Sequence, residues 1–194
     1  MKNWATIPWG DKWKEPFGEP VVNDTWFVMG PSAAGKSSFV MQLSKELCKY
    51  GKVLYVSYEE GVNKSFQDRL RFFHMQEENS QFQVVTDTRE ELIERLKKQR
   101  SARYVVVDSF QVANWTYEEA YELVQKFKHK SFIFISQEYK GQPMGKAAVR
   151  LRYLAGVKIR VAGFRAYCQG RYAPDAGNYF TVWEEGVVRT SNNV

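Results

Sequence analysis

The chain has 194 residues, a length that suits one compact domain and leaves little room for a second independent one. Hydrophobic residues make up 44% of it and charged residues 26%, an ordinary globular composition that excludes disorder as its general state. No apolar run approaches the roughly 18–20 residues of a membrane-spanning helix and the N-terminus has no signal-peptide stretch, so we expect a cytoplasmic protein without membrane partners. The net charge of +6 is compatible with an anionic partner but does not identify one.

The first 22 residues combine bulky aromatic side chains with three prolines. This composition predicts an extended N-terminal arm over residues 1–22, followed by one domain over residues 23–194. Its aromatic anchors are Trp4, Trp9, Trp13 and Phe17. Such apolar surface must be covered, either by the core of this chain or by a neighbouring subunit.

Strands and helices alternate after the arm. Residues 25–29 are typical of a buried strand, and apolar residues at helical spacing predict a helix over residues 37–50. A strand over residues 52–57, a helix over residues 63–75 and a short strand over residues 82–86 follow.

Two threonines, each followed three residues later by glutamate, match the capping box and open amphipathic helices over residues 88–99 and 116–128. The strands beside them, residues 104–107 and 131–135, are continuously apolar. Parallel strands covered by helices on both faces have this character. The sequence therefore predicts an α/β fold with a mainly parallel sheet flanked by helices.

The C-terminal part of the chain has a different pattern. A helix is predicted near residues 147–155, and short strands over residues 157–161, 164–168, 178–183 and 187–190. We expect these strands to be antiparallel.

The strongest functional signal is G-P-S-A-A-G-K-S at residues 30–37, which matches G-x-x-x-x-G-K-[ST] between a predicted strand and helix. Its glycines let backbone N–H groups turn towards phosphates, Lys36 reaches the β- and γ-phosphates, and Ser37 offers a hydroxyl to Mg²⁺. The sequence thus predicts a site for ATP and Mg²⁺. The residues expected at the nucleotide are Gly30, Pro31, Ser32, Ala33, Ala34, Gly35, Lys36, Ser37 and Ser38.

Acidic residues follow two strands at the edge where a parallel sheet presents its ligands. Asp108 fits a carboxylate that holds Mg²⁺ through its water shell, although an aspartate also commonly caps the turn after a strand. Glu59 and Glu60 follow the strand at residues 52–57. A glutamate there can orient and deprotonate the water that attacks the γ-phosphate, and a solvated loop is the alternative.

Two longer segments surround these acids: K-V-L-Y-V-S directly before the Tyr-Glu-Glu at residues 58–60, and V-V-V-D-S-F-Q at residues 105–111. Together with the glycine loop they resemble the RecA superfamily, and most closely the ATPase core of RadA/Sms, over about residues 20–190. The resemblance implies that Glu59 is the catalytic glutamate and that Gln137, which ends F-I-S-Q, senses the γ-phosphate. It also implies a homo-oligomer with ATP at the subunit interface.

The chain beyond Gln137 resembles the family's DNA-binding region. Residues 139–145 resemble its flexible second DNA-binding loop, and residues 140–160 contain six basic side chains and no acidic one. We expect this stretch to bind single-stranded DNA through its phosphates, the alternative being a basic face that is only solvated. The residues expected to contact DNA are Lys140, Lys146, Arg150 and Arg152.

Q-G-R-Y-A at residues 169–173 resembles the K-N-R-F-G motif of RadA proteins. The resemblance makes Arg171 a candidate arginine finger for a neighbour's γ-phosphate, and a surface arginine is the alternative. Gln169 stands where the motif has lysine, so the sequence departs from the family there. Cys48 and Cys168 have no C-x-x-C spacing, so the family's zinc module is not expected.

The expected function is an ATP-hydrolysing motor core that acts on single-stranded DNA in recombination, repair or replication. Two alternatives remain open. The glycine loop also resembles that of guanylate kinases, but a nucleoside-phosphate kinase is expected to carry an arginine-rich lid and an acceptor site where this chain has paired glutamates. The second alternative is a regulatory or assembly ATPase that uses ATP to switch oligomeric contacts and does not bind nucleic acid.

Overall fold

Nine strands form one sheet within residues 4–174 and 177–191, the part of the chain that the computed structural model describes. The strands are β1 (Trp26–Gly30), β2 (Val53–Ser57), β3 (Phe82–Val85), β4 (Tyr104–Asp108), β5 (Ser131–Tyr139), β6 (Gln142–Pro143), β7 (Val157–Ala162), β8 (Arg165–Cys168) and β9 (Tyr179–Thr181). The helices are α1 (Asp11–Phe17), α2 (Lys36–Leu47), α3 (Lys64–Phe72), α4 (Arg89–Lys97), α5 (Phe110–Ala113), α6 (Tyr117–Lys126), α7 (Lys146–Leu154) and α8 (Glu184–Ser191), with a 3₁₀ helix at Met75–Gln81. None of the described helices is long and apolar enough to cross a membrane.

The strand order is β3-β2-β4-β5-β1-β7-β8-β9, with β6 paired to the end of β5. All pairs from β3 to β7 along this order are parallel, whereas β8 and β9 join antiparallel. The predicted mainly parallel sheet with antiparallel strands at its C-terminal end is therefore confirmed.

Two hydrophobic cores cover the two faces of the sheet. Successive side chains of a strand point to opposite faces, so Trp26 and Val28 of β1 join one core while Phe27 and Met29 join the other. Helices α1, α2 and α3 contribute to the first core, and α4, α6 and α7 to the second. This double covering explains why β1, β2 and β4 are buried along their whole length.

The N-terminal arm is not extended throughout, and that part of the prediction is wrong. Residues 11–17 form α1, which places Trp13 and Phe17 on one buried face four residues apart. Trp13 stacks on Phe180 with 4.4 Å between ring centroids. The arm therefore packs on the core of its own chain, as one of the two alternatives states. The boundary between arm and domain at residue 22 stays a prediction. Residues 1–3 of the predicted arm and residues 192–194 of the predicted domain lie outside the described residues.

The C-terminal helix α8 also departs from the prediction. Residues 187–190 are helical where the sequence predicts a strand, because packing outweighs the strand preference of the valines. A Cβ on Gly186 would lie 2.3 Å from the Trp183 ring, so the helix approaches this ring closely through its glycine. Glu184 and Glu185 in its first turn favour a helix N-terminus.

The other predicted elements agree with the structure to within a few residues, and both capping boxes form as predicted. Strand β5 continues to Tyr139 because β6 folds back on it, with Glu138 opposite Pro143. The resemblance implies a flexible loop at residues 139–145, whereas the structure has a tight hairpin there. We call residues 139–144 the β5–β6 hairpin.

Candidate nucleotide-binding site

The glycine loop connects β1 to α2 at the carboxyl edge of the parallel sheet. A Cβ on Gly30 would lie 2.1 Å from the main-chain oxygen of Val161, and one on Gly35, with φ +96°, would lie 2.9 Å from the Phe164 ring. Both positions therefore require glycine, the second also for its left-handed backbone. Helix α2 begins at Lys36, so its unpaired N–H groups and partial positive charge face the same edge.

A cleft of about 280 Å³ opens above this loop. The predicted site residues that line it are Ser32, Ala33, Gly35, Lys36, Ser37, Ser38, Glu59, Asp108 and Gln137. Its walls also include three residues without a predicted role: Arg69, Ile135 and Phe164. Gly30 and Pro31 instead offer their carbonyls to Lys36, and the carbonyl of Ala34 accepts from the N–H of Phe164. The structure thus gathers side chains from β2, β4 and β5 around the glycine loop.

Lys36 is the buried cation of the cleft. Its ammonium donates to the carbonyls of Gly30 at 2.8 Å and Pro31 at 2.7 Å, and to Oε1 of Gln137 at 3.3 Å. Burial lowers the pKa of Lys36, while surrounding carboxylates, Glu59 foremost, oppose the shift. Phosphate oxygens are stronger acceptors than these carbonyls, because a charge-assisted hydrogen bond is about twice as strong as a neutral one.

Gln137 joins Lys36 to Glu59. Its Nε2 donates to Oε1 of Glu59 at 3.4 Å, and its own Oε1 accepts from Lys36. The sheet register fixes this meeting, because Gln137 of β5 lies directly opposite Gly30 of β1. The exposed carboxylate of Glu59 thus faces the space above the glycine loop, where it can accept a proton from water.

Glu60 has different surroundings from Glu59. Its carboxylate pairs with the guanidinium of Arg69 on α3 at 2.9 Å, and one nitrogen of Arg69 is buried without a hydrogen-bond partner among the described residues. Arg69 carries no functional signal in the sequence, because an arginine on an amphipathic helix normally belongs to its solvated face.

Asp108 ends β4 and is buried opposite Ser57 of β2. Burial raises the pKa of Asp108 to about 6, and the hydroxyl of Tyr55, which donates to its Oδ2, opposes the rise. Asp108 and Ser37 line the same cleft. A carboxylate and a hydroxyl are hard oxygen donors that suit Mg²⁺, which takes its remaining ligands from phosphates and water.

A second cavity, of about 490 Å³, adjoins the cleft and shares Ser38 and Phe164 with it. Its walls combine aromatic rings with polar side chains such as Gln42 and Glu185: Phe164 and Trp183 meet edge to face at 5.1 Å, and Phe72 is 74% exposed. We call it the aromatic cavity. The sequence does not predict this cavity, because its lining residues come from distant parts of the chain and meet only in the fold.

Two arginines in the basic stretch already have acidic partners. Arg150 pairs with Glu118 at 2.6 Å and lies over the Tyr117 ring at 3.9 Å. Arg160 makes two hydrogen bonds of 2.8 Å to the buried carboxylate of Glu138. Of the four residues expected to contact DNA, Arg150 therefore has an acidic partner, in a surface pair whose two side chains are both more than half exposed.

The other basic side chains of the stretch have no acidic partner within the described residues. Lys140 and Lys146 are exposed on the β5–β6 hairpin and at the start of α7. Arg152 donates to Oε1 of Gln169 at 3.2 Å. Tyr139 and Tyr153 beside them are 65% and 78% exposed.

Arg171 lies at the opposite edge of the sheet from the glycine loop. Its main-chain N–H donates to the carbonyl of Gly156, which precedes β7. It is exposed and lines a separate cavity of about 460 Å³ with Trp4 and Tyr172. The structure therefore does not bring Arg171 to the cleft of its own chain.

No protein-family model and no curated protein matches the chain. Its architecture is nevertheless similar to that of solved structures. A KaiC-like protein from the hyperthermophilic archaeon Pyrococcus horikoshii OT3 is 16% identical, with a TM-score of 0.65 over 86% of this chain and 88% of that one. The flagellar accessory protein FlaH from Methanocaldococcus jannaschii is 15% identical, with a TM-score of 0.63 over 92% of each chain. The chain thus has the RecA-like fold that the sequence predicts, while its narrower resemblance to RadA/Sms stays a prediction.

Proposed function

We propose that this protein is a RecA-like ATPase that binds ATP with Mg²⁺ in the cleft and hydrolyses it. The observation that carries the proposal is the hydrogen-bonded chain from Lys36 through Gln137 to Glu59, beside Ser37 and Asp108. These five side chains come from four separate elements or their ends. Phosphoryl transfer needs this set: a cation for the phosphates, oxygen donors for Mg²⁺, and a base for water.

Each residue then has a definite task. Lys36 exchanges its carbonyl acceptors for β- and γ-phosphate oxygens, and the N-terminus of α2 stabilises the same charge. Ser37 and Asp108 would hold Mg²⁺, which neutralises charge on the triphosphate when bound. Glu59 accepts the proton of the attacking water, and Gln137 positions that water between Glu59 and the γ-phosphate.

The base of the nucleotide fits the aromatic cavity. The cavity begins at Ser38, just beyond the residues assigned to the phosphates, and an aromatic wall formed by Phe164 and Trp183 offers stacking to a purine ring. Ligand sites commonly combine such an apolar part with a few polar anchors.

A regulatory or assembly role for the ATPase is better supported than a DNA-acting one. Arg160 is engaged with the buried carboxylate of Glu138, and Arg150 pairs with Glu118 at the surface, which leaves fewer unpaired cations in the predicted phosphate-binding stretch. A protein with a similar fold is named a flagellar accessory protein. Single-stranded DNA is the second candidate ligand, favoured by Lys140 and Lys146 beside the exposed rings of Tyr139 and Tyr153, on which bases can stack.

The test is an ATPase assay on the purified chain with and without single-stranded DNA. We expect Mg²⁺-dependent hydrolysis that Lys36→Ala abolishes, because the phosphates lose their main side-chain cation. Lys49→Ala, which changes an exposed lysine just after α2, is the control and should keep the wild-type rate. A folded Lys36→Ala protein with wild-type binding and turnover would refute the site. Stimulation by DNA that weakens steeply with salt would favour the DNA-acting role, and its absence the regulatory one.

A further inference from the structure

Tyr55, in the middle of β2, places a polar group inside the core beside the cleft. Its side chain is fully buried, and its hydroxyl donates to Oδ2 of Asp108. The sheet register explains the contact: Tyr55 lies opposite Val106 of β4, and Asp108 is two residues further along that strand, so it points to the same face. Tyr55 carries no functional signal in the sequence, because it lies within a strand that is buried along its whole length.

Two aromatic neighbours fix the ring of Tyr55. Phe66 of α3 lies 5.4 Å from it and Phe82 of β3 lies 6.2 Å from it, both measured between ring centroids. Phe66 is itself fully buried. Because close-packed side chains have little freedom to move, the hydroxyl oxygen of Tyr55 has a defined position in the fold.

The carboxylate of Asp108 depends on this hydroxyl. Among the described residues, Tyr55 is the only one that donates a hydrogen bond to it. The bond occupies Oδ2 and restricts the rotation of the carboxylate, while Oδ1 has no protein partner there. Asp108 lines the cleft together with Ser37. Oδ1 is therefore the oxygen that Asp108 can offer to Mg²⁺ or to its water shell.

The main chain of Asp108 is held separately from its side chain. Its carbonyl accepts from the N–H of Tyr58 at 2.6 Å and from the N–H of Glu59 at 3.1 Å. Removal of the Tyr55 hydroxyl would leave both of these bonds in place. The backbone of the proposed base would then keep its position, and only the carboxylate of Asp108 would be released.

We propose that Tyr55 is a positioning residue for the metal, whose hydroxyl holds the Asp108 carboxylate in the orientation that binds Mg²⁺. The inference rests on the proposed ATPase function. Groups that bind metals are commonly oriented by a hydrogen bond from a neighbouring residue, and loss of that neighbour typically weakens metal binding about 10–100-fold. Without the hydroxyl, the buried Oδ2 loses its donor and the carboxylate can turn away from the metal.

The test uses Tyr55→Phe in the full chain, because phenylalanine removes the hydroxyl and keeps the ring. Binding of a fluorescent, non-hydrolysable ATP analogue is titrated with Mg²⁺ and repeated in excess EDTA. In the wild type, Mg²⁺ should strengthen binding. In Tyr55→Phe we expect the Mg²⁺ concentration for half of this effect to rise about tenfold or more, while affinity in EDTA stays within about twofold of wild type.

Tyr104 on the neighbouring strand β4 provides the matched control. It is also fully buried, but its hydroxyl has no hydrogen-bond partner among the described residues. Tyr104→Phe therefore removes the same atom from the core and should keep the Mg²⁺ dependence of wild type. Chemical denaturation without nucleotide verifies that both variants are folded.

A double-mutant cycle shows whether Tyr55 acts through Asp108. In an Asp108→Asn background, Tyr55→Phe should change the half-saturating Mg²⁺ concentration less than twofold, because the carboxylate that it orients is already absent. A general defect of the core would instead add its effect in both backgrounds.

The outcomes separate this role from the proposed function. Wild-type Mg²⁺ dependence in Tyr55→Phe, an equal shift in Tyr104→Phe, or a full shift in the Asp108→Asn background would overturn the positioning role alone. A wild type that binds the analogue without any effect of Mg²⁺ would overturn the magnesium assignment as well. A wild type that does not bind the analogue would overturn the proposed function and the positioning role with it.

Discussion

Two adjacent glutamates after β2 illustrate how position decides the role of a side chain. Glu59 is exposed in the cleft and accepts a hydrogen bond from Gln137, whereas Glu60 turns to Arg69. A base must reach the water that it deprotonates, and the carboxylate of Glu60 is already occupied by the guanidinium of Arg69. The geometry therefore favours the same glutamate that the family resemblance favours.

Glu59→Gln should keep ATP binding and slow hydrolysis about a hundredfold or more, because the amide retains the shape but cannot accept a proton. Single-turnover hydrolysis and the binding of a fluorescent ATP analogue measure the two effects separately. Glu60→Gln is the matched control and should slow hydrolysis much less. If the two effects were reversed, the assignment would be displaced by one residue.

The aromatic cavity leads to a prediction about binding. Trp183→Ala should raise KM for ATP about tenfold and change kcat little, because a stacked ring binds the base equally before and during the reaction. Tyr121→Ala removes another exposed ring, on α6, and should leave KM unchanged. A Trp183→Ala protein with wild-type KM would place the base elsewhere.

The close packing of α8 on two aromatic rings depends on one glycine. A Cβ at position 186 would meet the rings of Trp183 at 2.3 Å and Phe164 at 2.6 Å, and Phe164 also contacts the glycine loop. Gly186→Ala should therefore reduce the free energy of unfolding by about 1–3 kcal/mol, despite the better helix propensity of alanine. Chemical denaturation measures the loss. Val188→Ala is the control, since that side chain is exposed on the same helix. Equal stability of Gly186→Ala and wild type would contradict the packing argument.

The sequence predicts elements that have a regular pattern or a local signal. The glycine loop, the continuously apolar strands and the capping boxes at Thr88 and Thr116 all form as predicted. Prediction from the sequence fails at α1 and α8, where contacts between distant residues decide the local structure. The same reason hides Arg69, a single polar residue whose partner Glu60 is known only once the chain is folded.

The glycine loop and Arg171, which are proposed to act on the same γ-phosphate, lie at opposite edges of the sheet. The glycine loop is at the carboxyl edge, and Arg171 is at the amino edge beside Gly156. An arginine in this place can reach a γ-phosphate only in another subunit. Head-to-tail contact between identical chains would present one edge to the other repeatedly, as in a ring or filament.

Mixing two inactive variants tests this arrangement. Arg171→Ala keeps an intact cleft, and Lys36→Ala keeps the arginine, so each should be inactive alone if the finger acts between chains. In co-expressed mixed oligomers, the intact cleft of an Arg171→Ala subunit can face the intact arginine of a Lys36→Ala neighbour. That interface then has both the lysine and the arginine. At equal amounts about a quarter of the interfaces have this combination, so about a quarter of the wild-type ATPase rate is expected. Arg71→Ala, at an exposed arginine on α3, should be active without mixing. Mixed oligomers of verified composition that stay inactive would leave Arg171 as a surface arginine, since the cleft of one subunit would then gain nothing from the next.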